Sequence, residues 1–163
     1  MDWATQPDPF RRFEGATLHR LSAASTVGPD YRDIHEVGRI QPEPLDAAFL
    51  ARLFYWSLAL SAWKSIPGST WSLRVNPSSG NLHPTEGYLL CGTEAGLADA
   101  PALYHYSPFE HGLEERARLT DEAWSELVRG ISEPCVLVGL TSIHWRESWK
   151  YGERAYRYCQ HDV

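Results

Sequence analysis

The sequence predicts an α+β fold, and two observations lead to that prediction. Apolar residues recur three and four positions apart in some segments, as in helices, while other segments contain short continuous apolar runs, as in buried strands. The predicted elements follow one another as helix, strand, strand, helix, strand, helix. Because helices and strands do not alternate regularly, this order favours an α+β layer over a doubly wound parallel sheet. The 163 residues are enough for one such domain.

The first 42 residues are predicted to form an extended N-terminal arm rather than a folded unit. Prolines occupy positions 7, 9, 29 and 42, and few apolar residues recur with a regular period. Residues 43–163 are predicted to form the folded domain. The last three residues still follow a helical pattern and have no glycine cap. We therefore expect a piece of a longer protein, incomplete at both termini, in preference to a fraying last helix.

A long amphipathic helix is predicted after Pro44. Its apolar stripe extends over five turns, and the turn-forming residues 66–69 are expected to end it. The stripe consists of Leu45, Phe49, Leu53, Trp56, Leu60 and Trp63. A turn-rich segment is predicted over 71–84 and a charged stretch over 110–119. The remaining predicted elements are strands over 87–91, 102–106 and 134–140, a helix over 120–128 with Thr120 as its N-cap, and a helix from 145 onward.

Composition excludes several classes of function. The formal net charge is −6 and the pI is near 5.6, so nucleic acid is not expected as the main partner. No apolar stretch is long enough to span a bilayer and no signal peptide is visible, so we expect a cytoplasmic protein without membrane association. Three cysteines without a CxxC pair, and histidines without HxxxH or HxH spacing, predict reduced thiols and no metal site.

The segment 74–86 is the strongest candidate for a ligand site. Small residues between two prolines predict a rigid loop whose backbone N–H groups and hydroxyls can meet a heterocycle or an anion. Arg74 offers a forked cation for a phosphate, and Gly80 permits close approach to a flat ligand. The candidate cofactor-binding residues are Arg74, Pro77, Ser78, Ser79, Gly80 and Asn81. From composition alone, a polar surface turn is the slightly favoured alternative.

Two ordered motifs carry a resemblance to a known family. The first is RVNPSSGNLHPTE, residues 74–86, and the second is WKYGERAYRY, residues 149–158. Both resemble motifs of the nitroreductase-like FMN flavoproteins, in particular the SagB/ThcOx-type branch of azoline (thiazole/oxazole) dehydrogenases. The resemblance covers nearly the whole chain from Pro44 onward. Members of this family are longer at both ends, and their basic N-terminal arm has no counterpart here.

The resemblance implies a fold, a cofactor and a quaternary state. The fold would be nitroreductase-like, with a central, mostly antiparallel sheet flanked by helices, and residues 43–163 would be a partial flavin-binding domain. In the family, FMN binds at a homodimer interface. By this resemblance, Arg74 contacts the phosphate or ribityl chain, and residues 78–81 line the isoalloxazine ring. Lys150 and Tyr151 would be the catalytic pair, which removes a proton from the substrate while a hydride leaves to the flavin.

The predicted function is therefore that of an FMN-dependent oxidoreductase, acting on a small molecule or oxidising azolines in peptides to azoles. The alternative is a non-catalytic flavin-binding or partner-docking remnant of such an enzyme. Helix geometry also leaves the catalytic pair open, because neighbouring helical residues point about 100° apart. Lys150 shares a helical stripe with Arg154, Arg157 and His161, which would equally fit a solvated basic face.

Overall fold

A computed structural model of the chain describes residues 2–24, 28–132 and 134–163. Within these ranges the chain forms seven strands and four α-helices. The strands are β1 (Leu18–Arg20), β2 (Leu60–Ile66), β3 (Ser69–Arg74), β4 (Thr85–Cys91), β5 (Ala102–Ser107), β6 (Gly112–Arg118) and β7 (Val136–Ser142). The helices are α1 (Ala47–Leu58), α2 (Asp121–Leu127), α3 (His144–Tyr151) and α4 (Ala155–His161).

Five of the strands form one sheet in the order β1-β6-β5-β4-β7, and every neighbouring pair in it is antiparallel. Strands β2 and β3 form a separate antiparallel hairpin. The α+β class and the antiparallel sheet are therefore confirmed. The edge strand β1 comes from the N-terminal arm, where Leu18 pairs with Glu114 of β6. The boundary of that arm at residue 42 stays a prediction.

Helix α1 packs on the sheet and forms the core with it. Asp46 caps the helix, since its carboxylate accepts a backbone N–H of the first turn at 2.8 Å. Phe54 stacks on Tyr106 of β5 with ring centroids 4.6 Å apart. Leu58 lies so close to Gly87 of β4 that a Cβ at this glycine has no room. Each buried side chain of this size contributes roughly 1.5–3 kcal/mol, so these contacts fix α1 on the central strands.

The predicted long helix is wrong beyond Leu58. Ala59 has an extended conformation, and the chain then forms the β2–β3 hairpin, in which Ile66 pairs with Ser69. Apolar residues at 60, 63 and 66 fit a helical period, but Pro67 cannot donate a helical hydrogen bond. Gly68 has φ 82°, which suits the tight turn between the two strands.

The core face of α1 also differs from the predicted stripe. The buried residues of α1 are Leu50, Ala51, Phe54 and Leu58. Leu50 and Phe54 lie one position after the predicted Phe49 and Leu53, which are only partly buried. Trp56 of α1 and Trp63 of β2 are each 54% exposed. The predicted single stripe is thus divided between the outer face of a helix and a hairpin.

Other elements are confirmed or corrected. Thr120 caps α2 as predicted, because its hydroxyl accepts the Ala123 N–H at 3.2 Å. The charged stretch over 110–119 contains strand β6, which the sequence analysis missed. The predicted C-terminal helix is split into α3 and α4 at Gly152, which has φ 55°. Within the described residues, none of the helices has the length and apolar content needed to cross a bilayer.

Candidate functional site

The loop between β3 and β4 carries the first motif and is held in shape by its own side chains. Ser78 Oγ accepts the His83 N–H at 2.7 Å, and Asn81 Nδ2 donates to the Ser72 carbonyl at 3.0 Å. Asn81 Oδ1 also lies 2.9 Å from His83 Nε2. Gly80, Asn81 and His83 have φ values of 68°, 60° and 51°. Residues other than glycine hold such values only where the surroundings enforce them, so the loop has one defined conformation.

Gly80 brings this loop into contact with the second motif. A Cβ built on Gly80 would lie 2.5 Å from the Tyr151 hydroxyl oxygen and 2.9 Å from Lys150 Nζ. A methyl group at this position would have to displace the ends of these two side chains, so glycine lets Lys150 and Tyr151 lie this close to the loop. Both members of the Lys–Tyr pair reach the loop although they are neighbours in sequence. Tyr151 is the last residue of α3, and Gly152 then turns the chain.

The basic stripe predicted through Lys150 is not continuous. The helix breaks at Gly152, and Arg154, Arg157 and His161 lie beyond the break with exposed side chains. Lys150 itself is half-buried, and its Nζ lies 5.4 Å from the centroid of the Tyr151 ring. Arg154, Arg157 and His161 therefore fit the alternative of a solvated basic face, whereas Lys150 lies at the loop.

A carboxylate from the far end of the chain lies on the same loop. Asp162 follows α4, and its two carboxylate oxygens accept the Ser79 N–H at 2.8 Å and the Ser79 hydroxyl at 3.0 Å. The Asp162 carbonyl accepts the Thr85 hydroxyl at 2.9 Å. The loop is thus joined to α3 through Gly80 and to the residue after α4 through Ser79.

Arg74 lies below the loop as a buried cation. Its guanidinium donates to the Thr85 carbonyl at 3.3 Å and to the Pro9 carbonyl of the N-terminal arm, and it lies 5.7 Å from the centroid of the Phe10 ring. Its Nε is buried and has no hydrogen-bond partner among the described residues. Burial lowers the pKa of Arg74 to about 10 against the opposing effect of the Glu86 charge. Arg74 therefore stays charged at neutral pH and has one donor to spare.

A buried polar network fixes α3 on the sheet beneath the loop. Arg146 of α3 donates to Glu86 of β4 and, at 2.6 Å, to the His83 carbonyl. His105 of β5 lies between two carboxylates, 2.6 Å from Glu86 and 2.8 Å from Glu114. Burial alone would raise the pKa of Glu86, but hydrogen bonds from His105 and Arg146 and the Arg146 charge outweigh it, and the pKa is lowered. The network sets where α3, and with it the Lys–Tyr pair, meets the loop.

Glu147 is the one carboxylate of α3 and has a different environment. Its side chain is fully buried, and neither carboxylate oxygen has a hydrogen-bond partner among the described residues. Burial, followed by the charge of Asp162, raises the pKa of Glu147 to about 7, and the charge of Lys150 opposes the shift. The carboxyl group therefore changes its charge near neutral pH, next to the junction of α3 with the residue after α4.

A cavity of about 640 Å³ borders the loop at Gly80 and Asn81. The hairpin and the N-terminal arm supply its other walls. Four aromatic residues line these walls, namely Trp3, Phe10, Trp63 and Trp71. Polar residues from the arm, the hairpin and the loop line the cavity between these aromatic rings, and such a mixture of aromatic and polar groups suits a flat ring system that carries hydrogen-bonding atoms.

The structure brings part of the predicted site together. Residues 78–81 lie with Lys150 and Tyr151 at one junction, whereas Arg74 is covered by the arm and Pro77 is exposed. Sequence reasoning missed Asp162, Glu147 and Arg146. No local pattern marks these three residues, because each acts through contacts with residues far away in sequence. Within the described residues there is no cluster of three or more side chains that could hold a metal ion.

No protein-family model matches this chain, and no curated protein matches it. Solved structures do match it, including the following three. A protein from Anabaena variabilis assigned as a nitroreductase has 26% identity and a TM-score of 0.69, and the match covers 99% of this chain and 31% of that one. The E. coli microcin synthetase McbBCD complex, with truncated pro-MccB17 bound, contains a chain with 23% identity and a TM-score of 0.52, covering 88% of this chain and 57% of that one. A Ralstonia eutropha protein assigned as a nitroreductase has 15% identity and a TM-score of 0.58, covering 89% of this chain and 65% of that one.

The likeness extends over almost the entire chain, although the chain spans less than a third of the Anabaena protein. An antiparallel sheet flanked by helices, with these structural neighbours, defines the nitroreductase fold. The chain has a nitroreductase-like fold, and this fold agrees with the resemblance of its two motifs to the SagB/ThcOx-type branch.

Proposed function

We propose that this chain is the flavin-binding part of an FMN-dependent oxidoreductase of the SagB/ThcOx type, which oxidises azolines in peptides to azoles. The observation that carries the proposal is the junction at Gly80, where the loop of the first motif meets Lys150 and Tyr151 of the second. In sequence, 62 residues (87–148) separate the two motifs. Their contact in space is what a cofactor loop and a catalytic pair of one site require.

Three features of the structure fit FMN. The aromatic cavity beside Gly80 and Asn81 suits a flat tricyclic ring. The unpaired Nε of Arg74 suits an anion such as a phosphate, provided that the arm residues Pro9 and Phe10 move aside. Ser78 and Asn81 add polar groups at the edge of the loop. Bound FMN would supply the hydride acceptor that no amino-acid side chain provides.

The chain's own residues would handle the proton. Oxidation of an azoline removes a hydride from one ring atom and a proton from its neighbour, so the two electrons leave with the hydride. Lys150 Nζ and the Tyr151 hydroxyl both lie at Gly80. Lys150 as a neutral amine would accept the proton, either directly or through the Tyr151 hydroxyl, which would give up its own proton to Lys150 as it takes the one from the substrate. The buried Arg146–Glu86 ion pair keeps α3, and therefore this pair, at a fixed position.

The partners and location belong to the same proposal. The E. coli complex with the same fold contains truncated pro-MccB17, and this favours a peptide over a small molecule as the substrate. By the family resemblance we expect a homodimer, with FMN bound between subunits. A cytoplasmic location stays a prediction.

The test uses Lys150 and Tyr151 variants of the protein at its full native length, with FMN content measured first. We expect Lys150→Ala to keep FMN and to lose azoline oxidation by on the order of a hundredfold or more. Tyr151→Phe removes only the hydroxyl and tests that group separately. Lys150→Arg is the matched control, because arginine keeps the positive charge but does not act as a base near neutral pH.

Each outcome has a defined meaning. Full activity in Lys150→Arg would contradict the role of Lys150 as a base and leave the flavoprotein proposal in place. A wild-type protein that binds FMN but oxidises neither azolines nor NAD(P)H would support the non-catalytic alternative.

A further inference from the structure

Ser79 was expected to face the flavin, yet both of its hydrogen-bond donors are used by Asp162. The Ser79 N–H donates to one carboxylate oxygen at 2.8 Å and the hydroxyl donates to the other at 3.0 Å. Asp162 is buried, with 6% of its surface exposed. Two donors from one residue to one buried carboxylate form a strong, directional contact, since hydrogen bonds to charged groups exceed neutral ones in strength.

The loop needs such a contact because its backbone is strained. Directly after Ser79 come Gly80 and Asn81, both with positive φ, and His83 follows with a third positive value. Internal hydrogen bonds from Ser78 and Asn81 hold the second half of the loop. Among the described residues, the Asp162 carboxylate is the only side chain from outside the loop with a hydrogen bond to Ser79. The Asp162 carboxylate therefore fixes the position of Ser79, the residue directly before Gly80.

We propose that Asp162 is a positioning residue of the flavin site: it holds Ser79 so that Gly80 stays against Lys150 and Tyr151. The inference rests on the proposed function, because it assigns Asp162 to the same site. It also changes the role of Ser79, which serves the site through Asp162 and not through a direct contact with the cofactor. Asp162 acts on the loop and not on the reacting atoms.

The experiment compares two variants, each of which removes a different contact of Asp162. Asp162→Ala removes the carboxylate from the loop. Thr85→Val removes only the hydroxyl that donates to the Asp162 carbonyl, so it weakens the attachment of this chain segment without touching Ser79. FMN affinity is measured by fluorescence titration, and hydrogen–deuterium exchange is measured for the peptide that contains residues 78–83.

We expect Asp162→Ala to weaken FMN binding by about tenfold or more and to speed exchange at residues 78–83. Thr85→Val should change FMN affinity by less than about threefold and leave exchange of the loop unchanged. Asp162→Asn, which keeps one acceptor oxygen for the Ser79 N–H and a neutral amide for its hydroxyl, should restore most of the affinity. Ser79→Ala should have little further effect in the Asp162→Ala background, because the contact is already absent.

Equal losses in Asp162→Ala and Thr85→Val would overturn the proposal in favour of simple anchoring of the chain end. Unchanged loop exchange in Asp162→Ala, or additive effects of Ser79→Ala and Asp162→Ala, would also overturn it. If the wild type binds no FMN, the proposed function and the flavin role of Asp162 both fail. The exchange data then still decide the loop contact, since faster exchange in Asp162→Ala alone supports it and equal exchange refutes it.

Discussion

Arg74 is the residue on which the phosphate part of the proposal depends. It is a buried cation whose acceptors are backbone carbonyls, one of them in the N-terminal arm, and its Nε has no partner among the described residues. A buried guanidinium with a free donor is costly unless an anion joins it. A phosphate contact at Arg74 would require the arm at Pro9 to move, because the Pro9 carbonyl accepts a hydrogen bond from the guanidinium.

We expect Arg74→Ala to weaken the binding of FMN more than the binding of riboflavin. The difference isolates the phosphate, and a lost charge-assisted contact corresponds to roughly 1.5–3 kcal/mol. Calorimetric titration of the two ligands into the wild type and the variant measures it. Riboflavin is the control for loss of stability, because any general damage to the loop weakens both ligands. Equal losses would show that Arg74 does not contact the phosphate.

At this scale, the sequence predicted residues with a motif and missed residues without one. Gly80, Lys150 and Tyr151 belong to patterns that can be recognised along the chain, and the structure brings them within contact distance. Asp162 has a role only because α4 returns its end to a loop that lies 83 positions earlier. No local period or spacing contains that information, since the contact depends on where two helices end.

Among the elements, those with a continuous apolar run or a capped start were predicted best. Strand β4 has an apolar run that is buried on both faces, and helix α2 has a clear N-cap at Thr120. The segment 60–66 has apolar residues three apart, which a helix and a strand of a hairpin can both accommodate. The turn at Pro67-Gly68 favours the hairpin. Strand β6 was missed because its inward Glu114 is charged. Its carboxylate is tolerated there because it pairs with His105 on β5 and accepts the Phe13 N–H of the N-terminal arm.

The environment of Glu147, on α3 and close to Asp162, predicts that the stability of the fold depends on pH. The pKa of Glu147 is raised from 4.5 to about 7 by burial and by the charge of Asp162, and the nearby Lys150 opposes the shift. The Cys159 thiol of α4 also faces this carboxyl group. The folded state holds the Glu147 proton more tightly than the unfolded state does. This contribution to stability is thus complete below pH 4.5 and is lost as the pH rises through about 7.

Glu147→Gln should remove that loss, because glutamine has the same shape and stays neutral. Urea unfolding at several pH values should show the variant more stable than the wild type above pH 7, by on the order of 1–3 kcal/mol, and the difference should shrink toward pH 5. Glu86 contributes in the opposite direction, because its pKa is lowered in the folded state. It stabilises the fold at pH values above the ordinary pKa of a glutamate, and that stability is lost as the pH falls. The difference between the two proteins therefore isolates Glu147. A difference that stays constant with pH would contradict this assignment.

For the whole molecule, the proposed homodimer predicts association in solution. The outer face of α1 presents Trp56, which is 54% exposed, beside a cavity of about 690 Å³ that Phe49 and Leu53 also line. An exposed apolar face of this kind marks an interaction surface. We expect Trp56→Ser to weaken association, as measured by sedimentation velocity over a range of concentrations. Trp145 of α3 is 59% exposed and lies outside that face, so Trp145→Ser is the matched control. A strictly monomeric wild type at high concentration would count against a shared flavin interface.

The central claim is that the two motifs meet at Gly80 to form one FMN site, and FMN titration of the wild type and Gly80→Ala tests it most directly. A Cβ at Gly80 would collide with Tyr151 and Lys150 and would strain a backbone with φ 68°. Far-UV circular dichroism and a thermal melt show that the variant is folded at the temperature of the titration. The account predicts saturable quenching of FMN fluorescence by the wild type and a loss of affinity in Gly80→Ala of about tenfold or more. Absence of saturable FMN binding by the wild type, or equal affinity in a folded Gly80→Ala variant, would contradict it.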